Sequence, residues 1–345
     1  METLLDIQVT SRGQGRGGSK ASKQRSGHTM AAVVPQRECD EERLRALGKR
    51  LLDQECAFAK RYRCLFALMN VKPSELTRQP LLACLQDQKH GALLRHEVAY
   101  VLGQMQDEAE EVVGELIRVV GDETDDVMVR HEAAEALGAI GSDTGVSVLR
   151  QHLKDDTREV AETCELALRR IEDAAASRDG DVPEHEGSQF NTVDPTLVSE
   201  GVSGKTREEL ERLALDETAS MHDRYEAIFA ARNRGGEEAV SLMSKCLETA
   251  KSALLKHEVA FVLGQLQNAQ ATEVLVRVLK DPAEHPMVRH EAAEALGSVA
   301  ESDDQVMGLL REYCKDEVQC VGQSCVVALD MLETKENFEY CEALA

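Results

Sequence analysis

The segment ALLRHEVAYVLGQMQ, Ala92–Gln106, returns 161 residues later as ALLKHEVAFVLGQLQ, Ala253–Gln267, with twelve of fifteen positions identical. A second segment, MVRHEAAEALG at Met128–Gly138, returns unchanged at Met287–Gly297. An internal duplication accounts for both. Each copy also carries a shorter period: His96 to His131 is 35 residues and His257 to His290 is 33. Periods of this size mark stacked helix pairs. About one period upstream of the first block stands RYRCLFA, Arg61–Ala67, and upstream of its copy RYEAIFA, Arg224–Ala230. Downstream, Val160–Leu168 and Val321–Leu329 supply a degraded unit in each copy. The count is four units per half and eight in all.

Within a unit, Val98, Val101 and Leu102 fall at helical spacing, as do Ala133, Ala136, Leu137 and Ile140. An earlier apolar stretch, such as Val112–Val120 or Val274–Leu279, supplies the first helix, and Gly121-Asp122 or Asp281-Pro282 the turn. Gly103, Gly138, Gly264 and Gly297 follow the apolar run of the second helix, where C-cap glycines are expected. One helix pair cannot bury its own apolar face, whereas stacked neighbours can. The expected fold is all-α: an α-solenoid of eight HEAT-type helix-pair repeats in two pseudo-symmetric halves of four, residues 39–172 and 205–333. Residues 1–38, rich in Gly, Ser, Arg and Lys, read as a disordered N-terminal tail rather than a transit peptide. Residues 173–204 read as a linker, of which Phe190–Pro195 could pack on one half, and residues 334–345 as a C-terminal tail.

Composition agrees. The chain has 345 residues, 42% hydrophobic but only 3% aromatic and without Trp, which favours helices over strands. With 40 Lys and Arg against 63 Asp and Glu, the net charge is −23. That excess disfavours nucleic acid and favours a basic partner. No apolar run is long enough to cross a bilayer, so no membrane partner is expected, and no secretory h-region follows Met1. The ten cysteines are scattered and read as reduced thiols of a cytoplasmic protein.

Chemistry concentrates in four His-Glu pairs at the same place in their repeats: His96-Glu97, His131-Glu132, His257-Glu258 and His290-Glu291. Each follows a basic residue, and only the two central units of each half carry one; Tyr62-Arg63 and Tyr225-Glu226 stand there in the first units. Equivalent helices of stacked repeats lie about 8–10 Å apart, so imidazoles from neighbouring units can approach one ion. A lone pair of this kind would read as a helix cap or surface decoration; four at matched places point to a site. Imidazole and carboxylate without thiolate suit iron or manganese better than structural zinc, and two such clusters face to face would make a dinuclear centre. HExxH is absent because Glu135 follows His131-Glu132-Ala133-Ala134, and no phosphate-binding glycine loop is present. Glu135 and Glu294, one turn after His131 and His290, are candidates for supporting carboxylates, with a solvated helix face the favoured reading. His28, His90, His152, His185, His222 and His285 are expected on surfaces or loops. Met105 and Met243 are expected to fill core.

RHEVAYVLGQMQ, VRHEAAEALG, KHEVAFVLGQLQ and VRHEAAEALG in this order resemble deoxyhypusine hydroxylase, over nearly everything from Asp40 to Leu332. RYEAIFAARN and QFNTVDP add to the likeness. The resemblance implies a di-iron monooxygenase with two Fe²⁺ per chain. Its substrate would be the deoxyhypusine side chain of translation initiation factor 5A, hydroxylated to hypusine with O₂ and electrons from an unnamed donor. It further implies that His96, His131 and Glu132 hold one iron and His257, His290 and Glu291 the other. Glu97 and Glu258 either ligate as well or sit just outside and bind the substrate amine. An acidic protein suits such a polycationic side chain on a basic loop. Two rivals are a non-catalytic HEAT-repeat scaffold binding a basic protein, and a lyase or dinuclear hydrolase in the same cleft.

Overall fold

The computed structural model describes residues 39–178, 190, 192–300 and 303–334; the expected tail at 1–38 and all but Thr334 of that at 334–345 lie outside them. The first half consists of α1 (Glu41–Leu52), α2 (Phe58–Met69), α3 (Glu75–Gln86), α4 (Ala92–Gln104), α5 (Glu110–Gly121), α6 (Val127–Ile140), α7 (Val146–Gln151) and α8 (Arg158–Arg178). After a short α9 (Glu200–Ser203) the second half repeats the plan. It runs through α10 (Arg207–Ala214), α11 (Met221–Arg234), α12 (Gly236–Thr249), α13 (Ala253–Leu266), α14 (Thr272–Lys280), α15 (Pro286–Val299), α16 (Asp304–Tyr313) and α17 (Gln319–Glu333). Helix α9 apart, these are eight pairs, as the periodicity predicts. Helix α8 runs past residue 172 into the stretch expected to be linker.

Local signals start the helices. The Asp40 carboxylate accepts from Arg43 N at 2.8 Å, and Asp126 from Met128 N at 2.9 Å, each satisfying an N–H left over at a helix start. Pro286 opens α15, where its missing N–H costs nothing. The glycine expectation is corrected. Gly103, Gly138, Gly264 and Gly297 lie inside α4, α6, α13 and α15, and the left-handed residues beyond the helices are Gln106, Gly141 and Gln267. Three of these glycines let second helices of successive units touch. A Cβ at Gly103 would stand 2.8 Å from the Ala136 Cα, at Gly138 2.8 Å from the Ala167 Cα, and at Gly297 2.9 Å from the Ala328 Cα.

The first helix of each pair faces outward and the second lines the inside, where α4, α6 and α8, and likewise α13, α15 and α17, pack side by side. The solenoid closes on itself. Helix α17 packs on α2 and α4, and α8 packs on α11 and α13, so the two halves meet at two seams related by a pseudo-twofold axis. Arg63 clasps Asp330 across the first seam with contacts of 2.5 and 2.6 Å, while Ser252 donates to Glu162 at 2.7 Å across the second. The apolar core is shared accordingly. Val327 and Met331 join the core of the first half, and Leu93, Met128 and Leu166 join that of the second. Met105 and Met243 are core residues, as expected. No helix among the described residues is long and apolar enough to cross a membrane, and no disulfide joins the described cysteines.

Candidate metal centre

Each of the four histidines is the fifth residue of its helix, one turn in from the start of α4, α6, α13 or α15. Identical positions on helices stacked into a closed ring bring their side chains to one place. The imidazoles of His96 and His131 have centroids 5.2 Å apart, and those of His257 and His290 5.3 Å. Across the pseudo-twofold, His96 lies 5.7 Å from His257 and 5.4 Å from His290, and His131 lies 5.4 Å from His257. The carboxylates repeat the symmetry: Glu132 approaches His96 Nε2 to 3.2 Å, and Glu291 approaches His257 Nε2 to 3.5 Å. Donor atoms of His96, His131 and Glu132 lie within 4.8 Å of one another, as do those of His96, His257 and His290.

All eight residues are buried, and the imidazoles are left wanting. His96 Nε2, both nitrogens of His131, His257 Nε2 and His290 Nε2 have no hydrogen-bond partner. A buried polar atom without a partner is costly, so such a cluster calls for an explanation. Burial and the neighbouring imidazoles push His131, His257 and His290 well below the ordinary histidine range, keeping their lone pairs free. Burial also works against charge on His96, but Glu132 and Glu97 outweigh it and raise its pKa. Burial and crowding raise Glu97, Glu258 and Glu291 above the ordinary carboxylate range. The three imidazoles held neutral, with free nitrogens beside crowded carboxylates, suit a divalent cation, and the absence of thiolate fits iron or manganese. His96 Nδ1 lies 3.0 Å from a Glu97 oxygen, which leaves Nε2 for an ion.

His96, Glu97, Glu132, His257, Glu258 and Glu291 line a cleft open to the outside. Phe66, Tyr100, Phe229 and Phe261 give it an apolar wall, with the Tyr100 and Phe261 rings 6.0 Å apart. The segment Thr192–Pro195 covers one side. Val193 exchanges two backbone hydrogen bonds with the Gln104 amide at 2.8 and 3.1 Å, and Asp194 takes a two-pronged ion pair from Arg232, which also stacks on Phe190 and Phe229.

HEAT repeats match residues 79–169 and 244–330. The chain is 48% identical over 299 residues to deoxyhypusine hydroxylase-B of Oryza sativa subsp. japonica, covering 86% of this chain and 95% of that relative. The chain belongs to the deoxyhypusine hydroxylase family. Its likeness to the family's Rattus norvegicus member is 40% over 312 residues, 88% of this chain and 97% of the other. The solved structure of human deoxyhypusine hydroxylase in complex with glycerol matches with a TM-score of 0.77 at 39% identity, covering 85% of this chain and 96% of that one.

Several residues escaped the sequence reading. Glu294 is not on a solvated face. It is buried, accepts from Ser324 at 2.7 Å, and lies 2.5 Å from the hydroxyl of Tyr62, which also reaches Glu97 at 3.1 Å. A tyrosine hydroxyl donates one proton, so with both contacts made, one of the two carboxyls must itself donate. Glu135, its counterpart, lines the cleft. The signal was available: both glutamates belong to the segment that repeats without change. His90 is likewise not at the surface; it is buried and accepts from Arg61 at 2.6 Å. His152 and His222 are half-buried beside Asp155 and Asp173, and His285 caps α15. His28 and His185 lie outside the described residues.

Proposed function

We propose that this chain is a non-haem di-iron monooxygenase of the cytoplasm, hydroxylating the deoxyhypusine side chain of translation initiation factor 5A to hypusine. The observation that carries the reading is the buried His96–His131–Glu132 cluster facing His257 and His290, with Glu291 beside His257 and imidazole nitrogens unsatisfied, in a chain whose relatives are named deoxyhypusine hydroxylases. His96, His131 and Glu132 would hold one Fe²⁺, and His257, His290 and Glu291 the other. Bound there, the irons supply the O₂ chemistry that an unactivated C–H bond demands and no side chain provides, with electrons from an external donor. Glu97 orients His96 through Nδ1, and Glu258 faces the cleft as an acceptor for a substrate amine. The aromatic wall takes the aliphatic part of the side chain and excludes water from the reacting carbon. The acidic body receives a basic protein substrate, and neither nucleic acid nor membrane has a part.

The test is elemental analysis of the purified chain with an assay on deoxyhypusine-bearing factor 5A. About two irons per chain and O₂-dependent hydroxylation, both lost in a His131→Ala, His290→Ala double variant, are expected. Parent protein that stays metal-free after anaerobic Fe(II) addition would return the chain to the scaffold reading, and turnover without O₂ to the hydrolase or lyase reading.

A further inference from the structure

The four histidines with Glu132 and Glu291 obey the pseudo-twofold, but the carboxylates one layer out do not. Glu97 corresponds to Glu258, Glu294 to Glu135, Tyr62 to Tyr225 and Ser324 to Thr163 in the repeat alignment. At the α2–α17 seam, Tyr62 ties Glu97 and Glu294 together and Ser324 adds a second bond to Glu294. At the α8–α11 seam the same positions turn away. The Tyr225 hydroxyl donates to the Leu254 carbonyl at 3.2 Å, and the Thr163 hydroxyl to the Glu159 carbonyl at 2.8 Å. Glu135 and Glu258 therefore line the cleft with neither a hydrogen bond nor an ion pair among the described residues, and the nearby Asp194 is already held by Arg232.

We infer that Glu135 is a specificity-determining residue: with Glu258 it receives an ammonium group of the substrate, so that a long diamine side chain lies across the symmetric metal pair in one direction only. This rests on the reading of the chain as a deoxyhypusine hydroxylase. Deoxyhypusine is a lysine extended by an aminobutyl arm, with a secondary and a terminal amine, both cationic at neutral pH. A symmetric cleft would accept the arm either way round, presenting different carbons to the oxidant. Closing the carboxylates at one end and leaving a free pair at the other removes that ambiguity. Thr192–Pro195 line the same cleft as the free pair. The apolar Tyr100–Phe261 contact between the ends fits the methylenes that separate the two nitrogens.

Two readouts on the iron-loaded full chain test this, with metal content checked in every variant. The first is the KM for deoxyhypusine-bearing factor 5A; the second is calorimetric binding of 1,4-diaminobutane, which needs no turnover. Glu135→Gln keeps size and hydrogen bonding but removes the charge. It is expected to raise KM about tenfold and weaken diamine binding about as much, with iron unchanged and kcat within threefold, as befits loss of one charge-assisted contact. Glu294→Gln, at the closed end, is expected to leave diamine affinity within twofold. A Glu135→Gln variant within twofold of the parent in both readouts overturns the inference, and so does a Glu294→Gln variant that weakens binding equally. If the parent binds the diamine through Glu135 yet does not hydroxylate factor 5A, the site stands and the reaction assigned to it falls. A parent that does neither sinks both.

Discussion

Adjacent residues on the same helices meet opposite fates. The histidine row faces the cleft and keeps unsatisfied nitrogens, whereas the basic residue before each histidine turns towards the outer helices and is satisfied, with Arg95, Arg130 and Arg289 buried. The Nε of Arg61, Arg95, Arg130, Arg224 and Arg289 each donates to the carbonyl ten residues earlier, at Leu51, Leu85, Val120, Ala214 and Leu279. The remaining nitrogens of Arg95, Arg130 and Arg289 reach a carboxylate in the turn between the two helices of the next unit, whereas those of Arg224 stay in their own unit on Glu217. Arg95 grips Asp125 with two contacts of 2.6 Å, and Arg130 and Arg289 take Asp155 and Asp316. Lys256 does the same with Glu284, and Arg61 uses His90. Arg61, Arg95, Arg130, Lys256 and Arg289 lock their units to the next; the histidine row, one residue on, keeps nitrogens that no protein group satisfies. The burden of stability and that of chemistry are separated by about 100° around a helix.

The largest effect in this contrast should come from the inner row. On the di-iron proposal, the His131→Ala, His290→Ala variant is expected to take up no iron while its metal-free form keeps a cooperative melt, as metal analysis and calorimetry would show. A metal-free form that no longer melts cooperatively would mean that the two rows share the work. Next is the outer row. Arg95→Ala strands Asp125 in the interior and should cost about 3–5 kcal/mol in chemical denaturation. The carboxylates of Asp125, Asp155 and Asp316 are held below the ordinary value of 3.8, against the cost of burial, by their arginines and by backbone N–H groups. A depressed folded-state pKa adds stability above the unfolded pKa and loses it as pH falls towards the folded one. Urea midpoints should therefore hold steady from neutrality to about pH 5 and drop below pH 4; an Arg95→Ala variant should show a shallower drop. Smaller effects come from glycines. Gly138→Ala drives a Cβ to 2.8 Å from the Ala167 Cα and should cost about 1–3 kcal/mol. Gly114→Ala, with nothing within 4 Å, should instead gain about 0.5–1 kcal/mol. Equal responses at the two glycines would undo the close-packing account.

The repeats, the helix pairs and the four His-Glu positions were legible because they depend on local period and on copying. What was hidden depends on relations between units. A glycine after an apolar run looks like a cap, and only the neighbouring helix shows that Gly103 and Gly138 are contact points. Glu294 looks solvated on its own helix, since its partners Tyr62 and Ser324 come from α2 and α17. His90 resembles any loop histidine until it is seen to occupy the acceptor place that Asp125, Asp155 and Asp316 fill in other units. Ring closure was out of reach for the same reason. It is the sum of small rotations between successive pairs, none of which is written in one repeat.

That closure changes how the molecule can come apart. An open solenoid frays from its two ends, one unit at a time, because each terminal unit has a single neighbour. Here α2 and α17 are neighbours, so the chain has termini but the stack has none. Fraying must begin by breaking a seam such as Arg63–Asp330, and that seam sits beside Tyr62 and Glu97. Loss of the outermost units and opening of the cleft thus become one event, and slow amide exchange in α2 and α17 would report the residence time of whatever the cleft holds.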